Sequence, residues 1–213
     1  MSRSLEQQLE DILRASPSMM TVLTLARELD LPDWLIASGA VYQRVWNYVT
    51  GREPDYGVRD YDVVYFDPDT SWDAEDVFIR RAAALFPPPL SDLVEVRNQA
   101  RVHLWFEGHF GEPYEPLSSS AEALTRFVAP AFGVGVRLEA DDSLTIAAPF
   151  GLEYVFAMAL RPNPHRPLAK GWVKTTTSAR TRWSRCATRR GFICGSKTIS
   201  ANRTNRCPAA QKP

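Results

Sequence analysis

Neither lysine nor cysteine occurs in this chain before Lys170. The cysteines, Cys186, Cys194 and Cys207, form no C-x-x-C pair, so neither a zinc ribbon nor a thioredoxin-like motif is supported, and a disulfide framework is not expected. Histidine is equally sparse, and His103 and His109 have no cysteine or histidine neighbour at zinc-ligand spacing, so they read as packed side chains. No apolar run is long enough to span a bilayer. The opening MSRSLEQQLEDILRAS sets Leu5, Leu9, Ile12 and Leu13 at helical spacing among acids, unlike the unbroken core of a signal peptide, so a cytoplasmic protein with no membrane partner is expected. Gly133-Val134-Gly135 lacks a third glycine and opens no helix; it reads as strand punctuation, not a dinucleotide fingerprint. No internal repeat is present.

What the chain does have is an α/β pattern with enough apolar residues for one core. Ser16-Pro17 starts a second helix ending near Asp30. Trp34 to Ala37 reads as a short strand, Ser38-Gly39-Ala40 as a turn, and the following residues as a helix stopped by Gly51. Residues 58–67 (VRDYDVVYFD) and 93–98 (LVEVRN) read as strands, with a helix between them capped by Ser71 and closed by Pro87, Pro88 and Pro89. Asn98 reads either as a helix cap, with Val102, Trp105 and Phe106 facing the core, or as a ligand-binding amide. Ser119 and Glu122 match a capping box, GVRLEADDSLTIA a hairpin, and GLEYVFAMAL a closing helix before Pro162. The expected architecture is a small mixed β-sheet with flanking helices.

The chemistry concentrates at Asp60 and Asp62. Positions i and i+2 of a strand share a face about 6–7 Å apart, a spacing from which two carboxylates can serve one hard divalent cation such as magnesium, together with substrate phosphates. The alternative is a solvated strand edge. Small residues at Ser38, Gly39 and Ala40, between a strand and a helix N-terminus, leave backbone N–H groups open to a phosphate, or simply form a tight turn. Glu95, with Val94 and Val96 on the opposite side, is a third-acid candidate or an exposed strand residue. Arg97 and Arg101, flanking Asn98 and Gln99, offer guanidinium groups for phosphate, or surface charge.

Strand, glycine turn, helix, D-x-D strand and single-acid strand together resemble the nucleotidyltransferase fold of DNA polymerase β. WLIASGAVYQRVWNYVTG, RDYDVVYFD, VRNQARVHLWF, GVGVRLE and APFGLEYVFAMALRPNP are similar to a bacterial nucleotidyltransferase-like family, formerly a domain of unknown function, over roughly residues 20–172. The resemblance implies Mg2+ or Mn2+ on Asp60 and Asp62, with Glu95 as the third-acid candidate, and a nucleoside triphosphate at the turn Ser38, Gly39 and Ala40; by their own chemistry Arg97, Asn98 and Arg101 are the further nucleotide-binding candidates. It implies two-metal transfer of a nucleoside monophosphate to an unidentified small-molecule or macromolecular hydroxyl acceptor. Ala40 stands where the fold usually has a serine, and FVAPAFGVGVR and GLEYVF depart from the family's Thr-rich and acidic positions. A second class of function therefore stands beside the enzyme: a catalytically silent nucleotide-binding or interaction module.

The formal net charge of zero conceals a split: residues 1–153 hold all 25 acids and 12 arginines, a net of −13, whereas the remaining residues hold 13 bases and no acid. An acidic body repels a nucleic-acid backbone, so a nucleic-acid partner is not favoured. The chain divides into a nucleotidyltransferase-like domain at 1–172 and a basic tail at 173–213. Three readings fit this basic end: a nucleic-acid-binding arm with Trp172, Trp183 and Phe192 for stacking, a disordered polar segment, or the product of a reading frame shifted near Trp172.

Overall fold

A reciprocal cap opens α1 (Leu5–Arg14): the Ser4 hydroxyl accepts from the Gln7 amide while the Gln7 side chain accepts from the Ser4 amide. Leu9, Ile12 and Leu13 form its buried stripe. Ser16 caps α2 (Pro17–Glu28), with Pro17 supplying the pre-set φ of a first turn. The computed structural model describes residues 3–166 and the antiparallel pair Ile193–Cys194 and Lys197–Thr198; the rest of the expected basic tail lies outside the described residues.

The remaining elements mix strands and helices. They are β1 (Leu35–Ala37), α3 (Gly39–Thr50), β2 (Tyr61–Tyr65), α4 (Trp72–Leu85), β3 (Val94–Asn98), α5 (Val102–Phe110), α6 (Ser120–Leu124), β4 (Gly135–Leu138), β5 (Leu144–Ala147) and α7 (Glu153–Phe156). The strands form one mixed sheet in the order β3-β2-β1-β4-β5. Only β2 and β3 run parallel, because the α4 crossover between them is long enough to return the chain to the same end. The other pairings are antiparallel.

Strand alternation gives the sheet two unlike faces. Ile36, Tyr61, Val63, Tyr65, Val96 and Val136 point into the main core, where they meet α1, α2, α3 and α7 residues such as Leu13, Leu23, Val45, Trp46 and Val155. The opposite face carries only a small apolar cluster of Leu35, Ala37, Val64 and Leu124. Asp62, Glu95 and Arg97 lie beside that cluster, on the less covered face.

Several boundaries differ from expectation. The strand read over 58–67 is ordered as β2 only from Tyr61 to Tyr65, so Asp60 sits at its entrance. The closing helix read over GLEYVFAMAL shortens to α7, because Met158 turns to φ 52° and ends it. Trp105, expected in the core, is 47% exposed, whereas Val102 and Phe106 are buried. Asn98 does act as a cap, but of a 3-10 turn at Gln99–Arg101 that precedes α5. At α6, Ser119 accepts from the Glu122 amide as a capping box requires, yet the Glu122 carboxylate turns to the Ser118 amide and hydroxyl instead of the cap residue's own amide.

Candidate active site

The site is a row across the less covered face of the sheet. Register pairs Gly135 with Ala37, Ala37 with Asp62, and Asp62 with Glu95. Adjacent strands are about 4.8 Å apart, so Asp62 and Glu95 project side by side from β2 and β3. Asp60, two residues before Asp62, shares its side of the chain and is solvent-exposed. Burial, reinforced by the charges of Asp60 and Glu95, pushes the Asp62 carboxyl up to about 6, against the opposing pull of Arg97. Like charges held together at a partly buried position carry such a cost unless a cation joins them.

The start of α3 closes the other side. Ser38 adopts φ 54°, a left-handed conformation that strains a non-glycine residue, and its amide donates to the Val134 carbonyl at 2.8 Å. Its hydroxyl makes no capping bond. This turn aims the first N–H groups of α3, those of Gly39 and Ala40, out of the helix end, where no carbonyl lies behind them. A Cβ on Gly39 would stand 3.8 Å from Asp60 Oδ1, which puts the glycine turn and the first carboxylate in contact range. Ala40 contributes only its backbone here, since its methyl belongs to the main core.

The remaining expected site residues divide between the two faces. Arg97 lies on the same face as Glu95, and the pair approach at 3.7 Å with side chains 52% and 60% exposed. Asn98 points the other way. Its Oδ1 accepts from the Asp67 and Ala100 amides, and its Nδ2 donates to the Asp67 and Asp69 carbonyls. Arg101 is engaged with Glu75 at 3.2 Å, donates to the Ser71 carbonyl and covers the Trp72 ring. The structure therefore brings Ser38, Gly39, Ala40, Asp60, Asp62, Glu95 and Arg97 together, while Asn98 and Arg101 brace the α4 side of the sheet. Among the described residues no three His, Cys, Asp or Glu side chains close around one point; the carboxylates stand in an open row.

Sequence reasoning missed the polar layer behind this row, above all Arg44, whose guanidinium reaches Ser16, Ser18, Ala40, Asp55 and Tyr61. The available signal was an arginine set among Val41, Val45 and Trp46 on an otherwise apolar stretch of helix.

Comparison with known proteins bears on this arrangement. The model of a family described as Nucleotidyltransferase matches residues 24–187. The chain belongs to this nucleotidyltransferase family. The match runs past Trp172, where the composition of the chain changes. No curated protein matches it. A solved NMR structure described as revealing a CCA-adding enzyme head domain is similar to this nucleotidyltransferase at 26% identity and a TM-score of 0.68, over 90% of this chain and 96% of the other. Fold and family thus agree on the polymerase β-type nucleotidyltransferase architecture expected from the sequence.

Proposed function

We propose that this nucleotidyltransferase transfers a nucleoside monophosphate from a nucleoside triphosphate to a hydroxyl acceptor, with Asp60, Asp62 and Glu95 as the ligands of Mg2+ or Mn2+. The observation that carries this reading is the contact between the α3 turn and the carboxylate row, Gly39 against Asp60 and Asp62 paired with Glu95. The donor set fits a hard cation, being carboxylate oxygens only, and the mutual repulsion that raises Asp62 is what such an ion relieves. When bound, divalent ions neutralise triphosphate charge and stabilise the attacking and leaving oxygens of an in-line displacement.

The chain's own groups supply the rest. The Gly39 and Ala40 N–H groups, at the positive end of the α3 dipole, receive phosphate oxygens. Arg97 offers a further cation on the same face. The acceptor hydroxyl oxygen bonds to the α-phosphorus as the bond to the β-phosphate oxygen breaks, pyrophosphate leaves with that electron pair, and Glu95 takes the hydroxyl proton. A small hydroxyl compound suits the acidic body better than a nucleic-acid backbone does. The similarity to a CCA-adding enzyme head domain makes a nucleic-acid end the competing acceptor. A triphosphate donor also agrees with the cytoplasmic location expected from the sequence; among the described residues no helix is long and apolar enough to cross a membrane.

The test is thermal stabilisation of the full chain by each of the four ribonucleoside triphosphates, with and without magnesium, beside an Asp60→Asn/Asp62→Asn variant. Magnesium-dependent stabilisation that disappears in the variant is expected, followed by label transfer from an α-32P triphosphate to small-molecule or RNA acceptor pools. Absence of stabilisation by any triphosphate would move the assignment to a silent interaction module.

A further inference from the structure

Arg44 is completely buried in α3 with 0% of its side chain exposed, and its carboxylate partner among the described residues, Asp55, is 48% exposed. Nε donates to Ser16 Oγ at 3.0 Å. One terminal nitrogen donates to the Ala40 carbonyl, and the other lies 2.9 Å from Ser18 Oγ, 2.7 Å from Asp55 Oδ1 and 2.9 Å from the Tyr61 hydroxyl. Three of those partners, Ala40, Asp55 and Tyr61, belong to segments that frame the carboxylate row, whereas Ser16 and Ser18 anchor the guanidinium to the start of α2. Ala40 is in the first turn of α3, Tyr61 stands between Asp60 and Asp62, and Asp55 lies in the loop that delivers Asp60. The same face of the helix holds that loop twice more. Gln43 donates to the Tyr56 carbonyl, and Asn47 to the Pro54 and Tyr56 carbonyls.

Stability alone is a poor account of this arrangement. Removing a guanidinium from water is costly, and well-packed apolar residues in place of a buried ion pair are often neutral or stabilising. Geometry is a better account, because the guanidinium is a rigid planar fork whose donors set the relative positions of everything they bind. The burial of Asp55 pushes its carboxyl up, but hydrogen bonds from Ser18 and Ser16 and the charge of Arg44 outweigh that and hold it below the ordinary value, so it is anionic in this network at neutral pH.

We infer that Arg44 is a positioning residue: it locks the first turn of α3 and the Asp60-Tyr61-Asp62 segment into one geometry, so that amides and carboxylates address the same bound metal and phosphate. This inference rests on the nucleotidyl-transfer reading. It concerns residues that touch neither reactant, and it assigns Asp55, Tyr61, Ser16 and Ser18 as the partners through which Arg44 acts.

The test is Mn2+ binding by electron paramagnetic resonance on the full chain, with the melting temperature of each protein measured in parallel. Tyr61→Phe removes one oxygen, Asp55→Asn removes one charge, and Arg44→Lys keeps the charge but loses the fork. Arg27→Met is the control for stability, since Arg27 ties α2 to the Glu139 carbonyl and Asp142 in the distant β4–β5 turn. Each of the three network variants is expected to bind Mn2+ about tenfold more weakly while still folded, the scale typical of groups that orient metal ligands. The control is expected to melt earlier with its Mn2+ affinity intact. Unchanged affinity in folded Tyr61→Phe and Asp55→Asn would overturn the positioning role even if Arg44→Lys does not fold. Absence of Mn2+ binding by the unaltered protein would instead overturn the metal-dependent reading beneath it.

Discussion

Asp62 and Glu95 are register partners in the parallel β2–β3 ladder, and both leave the sheet on its less covered face. Their proximity, with Asp60 alongside, has a consequence for stability that does not require knowing the substrate. Asp62 titrates near 6 in the folded protein against 3.8 when unperturbed. Between those values the native state binds more protons than the unfolded state, so metal-free stability falls as pH rises through the window. The penalty is absent below the unfolded value and complete above about 6, with a ceiling of roughly 3 kcal/mol at about 1.4 kcal/mol per pKa unit. Asp62→Asn should abolish this decline and make the metal-free protein more stable at pH 7. Urea denaturation at several pH values checks it; a variant with the same pH profile as the parent would disprove the assignment.

Ala40 lies where a serine would be expected to hold phosphate, yet its methyl is packed in the main core. Ala40→Ser should therefore gain no triphosphate affinity. It should lose about 1–2 kcal/mol of stability by burying a hydroxyl without a good partner. Calorimetric titration and chemical denaturation distinguish this from a serine that reaches the ligand.

Asn98 donates or accepts in four side-chain hydrogen bonds that join β3 to the 67–69 turn and to the residues that follow it. Asn98→Ala leaves the Ala100 amide and the part-buried Asp67 and Asp69 backbone groups without these partners and should cost about 1–3 kcal/mol. Any fall in nucleotide binding should track loss of folded protein, as seen by comparing binding per folded molecule at several temperatures.

Gly133 has no room for a side chain, since a Cβ there would stand 2.5 Å from the Leu124 carbonyl oxygen and 3.2 Å from the Phe150 ring. Gly133→Ala should destabilise the protein by about 1–3 kcal/mol through forced backbone movement. Thermal denaturation measures it. An unchanged melting temperature would mean that the packing of α6 against the residues before β4 is looser than described.

Local signals in the sequence determined much of this protein. Ser4, Ser16, Ser71 and Ser119 each cap the helix their spacing implies, because a cap depends on the chain within a few residues of itself. The D-x-D spacing was enough to set Asp60 and Asp62 close together, although β2 begins only at Tyr61, and the glycine turn ahead of α3 was equally local. Tertiary structure alone decided the rest. Parallel pairing of β2 with β3 brings Glu95 beside Asp62, and the single-residue alternation of β3 then sends Asn98 to the opposite face from Glu95 and Arg97. Arg44 shows the same limit most plainly: its partners are spread over 46 residues, from Ser16 to Tyr61, and only the packing of α2, α3 and the loop before β2 gathers them around one guanidinium. Hydrogen bonds between distant segments leave no periodicity in a sequence, whereas caps and strand faces do.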